Sequence, residues 1–468
     1  MNRIKTKIDS FMTCQLGSSI FSWQEILRMT VPYVLDSLSI MFIGMLITAL
    51  ISKNGEASVA AVSLVSPIGN LIVCLFNGIC AGGTVVIAQC CGKKDTKLIR
   101  RAIGLIVWLT ELVGIVTCLP FLLCPQQILV LLYPKAEALV LEKASVYLVG
   151  CAGSCLVFAL YMGIFSVLRG LGESKKCLTL SVIINVAYLL FSILFLNWLN
   201  LDIHGSAYAL LLARTVGAVC AVAALFFWRP SYPMTLRQVF SFDKRLLKST
   251  LRVSLPFGAE QICTSLGAIV AGMYMTQLST SALATHAIVN SLIGVLNSAC
   301  MGAGSLAVTV VGRCIGAEEF NLARKYGKKC NIIALVLLGL SAILFYPLLP
   351  LLLRQYNPTP EAAALSIQLL WMSLPCLLLF YPMSSTLPNT LRAASDTLYP
   401  SVFSLAIMWA CNIALGYLLA IPAGLGLVGV WIATWVSWGA RTLAFSLRFQ
   451  GSKWLYKTKS AALSAKTF

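Results

Sequence analysis

The sequence predicts an all-α membrane protein, with 12 transmembrane helices in two pseudo-symmetric six-helix bundles. Three observations predict it. Of 468 residues 59% are hydrophobic and only 11% charged, with a mean hydropathy of +0.87, whereas soluble domains carry roughly a quarter of charged residues. Apolar stretches long enough for the roughly 20 residues that a bilayer demands of a helix recur twelve times. A basic stretch, FWRPSYPMTLRQVFSFDKRLLK at 227–248, is the longest polar interruption and leaves six spans on either side.

The first span, 26–51, opens with Arg28 and then carries Pro32 and Asp36. The second, 57–90, holds Ser66, Asn70 and Asn77. Glu111 interrupts the third, 98–124. The fourth, 134–168, contains Cys151 and Cys155, the fifth, 176–198, contains Asn185, and Arg214 interrupts the sixth, 204–228. The seventh, 250–277, repeats the first with Arg252, Pro256 and Glu260, and the eighth, 281–313, carries Asn290 and Asn297. Spans at 322–347, 360–391, 397–421 and 425–449 complete the second bundle. The organisation is a cytoplasmic segment 1–25, an N-lobe 26–228, a linker 229–249, a C-lobe 250–449 and a tail 450–468, expected to be disordered.

A net charge of +19 suggests nucleic acid at first sight, but the basic residues sit in short loops between spans rather than on one folded face. That pattern sets membrane orientation. With the N-terminus cytoplasmic, the loops on the opposite side hold only Lys53, Lys135, Lys143 and Arg354 of the 35 Lys and Arg. The expectation is a multi-pass plasma-membrane protein, in a bacterial inner membrane, with both termini cytoplasmic, no cleaved signal peptide and no nucleic-acid partner. Most of the 17 cysteines lie in apolar spans without a C-x-x-C pair, which fits small packing residues. Two histidines, His204 and His286, do not make a metal site. No nucleophile and base fall in register, so no enzyme, metal or cofactor is expected.

A shift of 224 residues takes Leu27, Arg28 and Pro32 to Leu251, Arg252 and Pro256, and Gly78, Cys90, Gly92 and Arg100 to Gly302, Cys314, Gly316 and Arg324. The same shift takes Asp36 to Glu260. Six helices return the chain to its starting side, so the copies are parallel repeats. Each acid follows a proline by four residues, where the helix has lost a hydrogen bond. Each is eight residues beyond its arginine, roughly 12 Å deeper at about 1.5 Å per residue. Acids at such depth are rare and functional by default. A carboxyl removed from water is cheaper neutral than charged, so Asp36 and Glu260 are candidates for exchanging a coupling proton. No base lies at their level in their own helices.

Ser66, Asn70 and Asn77, with Asn290 and Asn297 in the second copy, fall on one helical stripe. They line a substrate cavity or, equally, glue helices together at about 1 kcal/mol per bond. Gln261, beside Glu260, is a further cavity candidate. Glu111 and Arg214 both count to mid-bilayer depth, so a buried ion pair is expected of them ahead of substrate contact.

Three sets of residues resemble the multidrug and toxic compound extrusion (MATE) family over about 25–450. AQCCGKKD at 88–95 and VGRCIGAEE at 311–319 are similar to its loops after the second and eighth helices. LRGLGES at 168–174 and LRAASDT at 391–397 are similar to its loops after the fourth and tenth. The third set is Pro32/Asp36 with Pro256/Glu260. The resemblance implies a MATE-like exporter of small organic cations, alternating between outward and inward openings and driven by H+ or Na+, with Asp36 and Glu260 as its helix-1 and helix-7 acids. It also implies an ion-coupling role for Asn185 and a cavity position for Tyr381. Departures bear on the ion: Asn185 is followed by Leu189 where an acid is expected, Leu210 replaces a threonine, Asn412 and Thr434 are kept, Gly416 supplies no acid and Tyr381 replaces one. Fewer oxygen ligands weaken the case for Na+, so H+ antiport by a monomer is expected. The alternatives are Na+ coupling, or a flippase for lipid-linked or amphipathic substrates. The latter calls for a cationic cleft, and Arg214 is the one deep base that the spans show.

Overall fold

A computed structural model of the chain describes residues 21, 23–51, 56–134, 138–199, 201–228, 232, 243–275, 277–354, 356 and 358–455. Most of the segment 1–25, most of the linker 229–249, the tail beyond 455 and the loop lysines Lys53 and Lys135 lie outside the described residues. Among those described, the chain is helical and forms no strand.

The long helices are α1 (Trp23–Ile51), α2 (Glu56–Lys93), α3 (Thr96–Leu123), α5 (Ala138–Gly170), α6 (Ser174–Ser192), α7 (Asp202–Phe226), α8 (Lys244–Met275), α9 (Thr280–Gly316), α10 (Phe320–Arg354), α11 (Pro360–Ala393) and α14 (Gly426–Gln450). A short α4 (Pro125–Leu132), with proline at its first position, lies where the sequence reading expects a loop. Proline suits that position because its missing N–H has no helical partner to lose. The eleventh span is composite: α12 (Leu398–Ile407), a wider π-wound stretch Met408–Leu415, and α13 (Gly416–Ala420). A second π-wound stretch, Ile193–Trp198, continues α6.

Counting α12–α13 as one, the described residues form twelve spans, ten of them long and apolar enough to cross a membrane. α14, which carries Trp431, Trp435, Trp438 and Arg441, is not among the ten.

The internal repeat is written in the backbone. Lys94 and Glu318, 224 residues apart, both take left-handed φ values, 57° and 62°. Their N–H groups donate to the Cys91 and Ile315 carbonyls, the same bond in each copy. The second loop pair repeats this with Gly172 at φ 73° and Ser395 at φ 60°, donating to the Arg169 and Arg392 carbonyls. Left-handed residues close helices by satisfying their last carbonyls, which is why these loops have fixed lengths.

The compact units are offset from the sequence halves. One, here the N-unit, is residues 39–258, and the other, the C-unit, is residues 1–38 with 259–468. Helices α1 and α8 therefore each contribute to both. The first part of α1 packs into the C-unit core through Ile26, Met29 and Tyr33, beside Leu306 and Val310 of α9. In the N-unit, Leu246 of α8 joins the core of α2, α3, α5 and α7.

Two glycines fix these crossings. A Cβ on Gly302 would lie 2.9 Å from the Val34 Cα, and one on the repeat-related Gly78 would lie 2.7 Å from the Gly258 Cα. Only a residue without a side chain permits backbones that close.

The first residues of the tail depart from its expectation of disorder. Residues 451–455 pack on the C-unit: Trp454 is fully buried, stacks on Phe449 at 5.3 Å and donates its indole N–H to the Phe449 carbonyl at 3.0 Å. An apolar aromatic with a satisfied polar edge belongs in a core rather than in a solvated tail.

Candidate transport site

The densest buried charge among the described residues lies in the C-unit around Glu260. Pro256 sits one turn before it in α8, and Glu260 itself is 7% exposed. Its Oε2 accepts from Arg392 Nη2 at 2.6 Å, with both side chains below a tenth exposed. Charge-assisted bonds of this length are the strong ones.

Arg392 is the penultimate residue of α11, a helix with prolines at 375, 382 and 388. Through Nη1 it also donates to the Asn389 side chain at 3.3 Å, and Asn389 is tied back to the Ser385 carbonyl at 3.1 Å. The next turn carries a second pair. Asp396, 1% exposed, accepts from Arg448 Nε at 2.8 Å, and that guanidinium lies 4.7 Å from the Tyr399 ring centre. A third base, Arg441 of α14, lies within electrostatic range of Glu260, Arg392 and Tyr381.

This extends one expectation and corrects another. Glu260 faces a base that its own helix does not supply, and Arg214 is not the only deep arginine. The sequence places Arg392 in the LRAASDT loop motif and does not single out Arg441, yet Arg392 is paired with the buried acid and Arg441 lies within electrostatic range of it. The 132 residues separating Arg392 from Glu260 leave no sequence-local trace of the pair. The signal that was available is Arg441, an ionisable residue well inside an apolar span.

Asp36 is 1% exposed on the part of α1 that belongs to the C-unit. Both acids are therefore assigned to one unit, and each lies within two residues of the point where its helix passes from one unit to the other.

The Glu111–Arg214 pair does not form. Arg214 of α7 donates to Ser154 Oγ at 2.7 Å and Cys155 Sγ at 3.1 Å, and its guanidinium lies 4.4 Å from the Phe158 ring centre. All three partners are on α5, which packs against both α3 and α7. Glu111, on α3, keeps a buried Oε2 with no hydrogen-bond partner. Equal depth along two helices does not make residues face each other when a third stands between.

The remaining candidates are scattered. Ser66 and Asn70 in α2 are exposed and Asn77 is half-buried, while in α9 Asn290 is exposed and Asn297 half-buried. Ser66 satisfies its hydroxyl on the Val62 carbonyl at 2.7 Å. Asn185 of α6, in the N-unit, donates to Ser181 Oγ at 3.4 Å. Gln261 is half-buried, and Tyr381 meets Trp438 edge-on at 5.4 Å. The glycine at 416 has a packing reason, since a Cβ there would lie 2.7 Å from the Tyr274 hydroxyl, which donates to the Asn412 carbonyl in the π-wound stretch at 2.9 Å. No two described cysteines form a disulfide with each other, and the described residues hold no His/Cys/Asp/Glu cluster suited to a metal ion.

Comparison with known proteins settles the family. The model of the MatE family matches residues 32–195 and again 256–418, one match per repeat. The chain belongs to the MATE family. "Probable multidrug resistance protein NorM" of Bradyrhizobium diazoefficiens is 27% identical, over 90% of this chain and 93% of its own length. "Probable multidrug resistance protein YoeA" of Bacillus subtilis is 25% identical, over 88% of this chain and 89% of its own. An outward-facing MATE transporter structure superposes with a TM-score of 0.83 at 19% identity, covering 93% of this chain and 96% of the other. A Pyrococcus furiosus transporter, titled as having a binding pocket of reverse polarity, superposes at 0.82 with 20% identity, covering 92% and 96%. The fold is thus that of MATE transporters, and the family is one of multidrug efflux transporters rather than enzymes.

Proposed function

We propose that this MATE chain is a secondary antiporter that exports amphipathic organic cations in exchange for protons, by alternating access, as a monomer in the plasma membrane. The observation that carries the reading is the buried Glu260–Arg392 pair at 2.6 Å, in the same unit as buried Asp36. A cation entering beside Glu260 competes with Arg392 for one carboxylate, and a proton on that carboxylate removes the attraction for either. Differential binding of proton and substrate to two states is what an exchange cycle requires. Asp36 gives the unit a second carboxyl for the same exchange.

The retained Asn412 and Thr434 keep Na+ in view as the ion, but Tyr381 and Gly416 withhold the acids that would complete a set of oxygen ligands. Ethidium transport into proteoliposomes tests this. An imposed pH gradient drives uptake, Glu260→Gln and Asp36→Asn each reduce it at least about ten-fold, the scale of one lost charge-assisted contact, and a Na+ gradient alone does nothing. Uptake that requires Na+ and ignores pH replaces the proton with sodium. Translocation only of lipid-linked substrates turns the reading to a flippase.

A further inference from the structure

Arg441 is a half-buried base, well inside an apolar span, to which the cation-exchange reading gives no task. The register of α11 against α14 is fixed at its level by Thr442, whose hydroxyl donates to the Phe380 carbonyl at 2.7 Å. Arg441 and Tyr381 are the chain neighbours of that bond, and Trp438, one turn earlier in α14, holds the Tyr381 ring edge-on. Among the described residues Arg441 makes one hydrogen bond, from Nη2 to the Ser404 carbonyl, at a long 3.4 Å. Its Nε is buried with no hydrogen-bond partner.

A guanidinium offers five N–H donors in a planar fork matched to a carboxylate or phosphate, and a buried charge left without a partner is costly. The charged and titratable groups around it are Glu260 of α8, Arg392 and Tyr381 of α11 and Cys411 of the π-wound stretch. Glu260, the acid among them, is already engaged by Arg392. The Tyr381 hydroxyl makes no hydrogen bond to the described residues and is a second donor within electrostatic range of Arg441. The irregular winding opposite is where helices commonly accommodate function.

We propose that Arg441 and Tyr381 form a recognition point for the acidic group, a carboxylate or a phosphate, of an amphipathic substrate, and that Glu260 competes with that group. The proposal rests on the chain being an exporter of amphipathic organic molecules but not on its coupling ion. It makes the substrate range broader than cations and gives Glu260 opposite effects on the two classes, holding a cation and excluding an anion. A molecule carrying both charges would engage Glu260 and Arg441 together.

The test is equilibrium binding to the purified full chain without any gradient, followed by fluorescence anisotropy of carboxyfluorescein and, in parallel, of ethidium. Arg441→Gln is expected to weaken carboxyfluorescein about ten- to a hundred-fold, the range for a lost bond to a charged group. Tyr381→Phe weakens it several-fold, and Glu260→Gln tightens it while weakening ethidium. Wild-type chain that does not bind carboxyfluorescein, or Arg441→Gln chain of normal gel-filtration profile that binds it unchanged, overturns the proposal. If Arg441→Gln aggregates, unchanged binding in both Tyr381→Phe and Glu260→Gln overturns it instead.

Repeating the titration in nanodiscs of phosphatidylcholine with and without phosphatidylglycerol assigns the source of the group. Competition by phosphatidylglycerol identifies lipid phosphate, and its absence identifies a soluble acid, both with the recognition point intact. Failure of the transport reading shows separately, as a wild-type chain that binds these dyes and moves none of them in proteoliposomes.

Discussion

The two sequence repeats each half-bury an arginine on their sixth helix and treat it in opposite ways. In the N-unit, Arg214 of α7 is surrounded by neutral groups, a hydroxyl, a thiol and an aromatic face, and no carboxylate pairs with it. The repeat-related residue in the C-unit is Trp438, and the base comes one turn later as Arg441, where the N-unit has Gly217 packed against Ile184. There the surroundings are ionic: Glu260, Arg392 and Arg441 in one electrostatic neighbourhood. The same scaffold thus surrounds its arginine with neutral dipoles in one copy and with other charges in the other. An arginine held by neutral dipoles can be removed without stranding a charge, whereas removing either member of a buried ion pair strands the other.

The sharpest way to break this comparison is to remove one member of the C-unit pair. Arg392→Ala leaves Glu260 buried without its hydrogen-bonded partner, a change expected to cost about 3–5 kcal/mol. Thermal unfolding in detergent reads it as a large drop in midpoint. Glu260→Gln in the same chain removes the stranded charge and restores most of the loss. A single variant that melts like wild type, or a double variant no better than the single, shows that the pair carries little of the stability of the unit.

Much of the fold was legible, because bilayer length and apolar runs leave little freedom. Twelve spans, the 224-residue repeat and the paired acids all follow from the order of residues along the chain. What was not legible is what depends on azimuth or on distant partners. Arg392 looks like loop charge in LRAASDT, and only the left-handed Ser395 that closes α11 shows that it belongs to the helix and points its fork at Glu260. The crossing of α1 and α8 between units was equally hidden. A pattern of 3.6 residues reports which face of a helix is apolar, not which bundle that face meets. Trp454 was hidden by the lysines around it, which read as a solvated tail.

A smaller effect sharpens the symmetry rather than the contrast. Gly78→Ala and Gly302→Ala insert a methyl where backbone atoms stand at 2.7 and 2.9 Å, so something must shift. Overpacking of this kind costs about 1–3 kcal/mol, and the two substitutions should destabilise by similar amounts because the repeat uses both glycines for the same close crossing. A loss in midpoint confined to one of them means that only one crossing is tight in the working protein.

The smallest effect is expected between Glu111 and Arg214, and its smallness is informative. If α5 separates them, Arg214→Met loses its bonds to Ser154 and Cys155 and its contact with Phe158, on the order of 1–3 kcal/mol for bonds to a charged group. Glu111→Gln changes little, because its carboxyl has no counter-charge to lose. The double variant is then the sum of the singles, with a coupling energy within about 0.5 kcal/mol of zero, as for residues that share no partner. A coupling of 2 kcal/mol or more, which a direct buried pair would give on the scale of about 0.5–3 kcal/mol for contacting residues, means that Arg214 leaves Ser154 and Cys155 for Glu111 in the membrane. That outcome would make the N-unit ionic like its partner and remove the difference from which these predictions start.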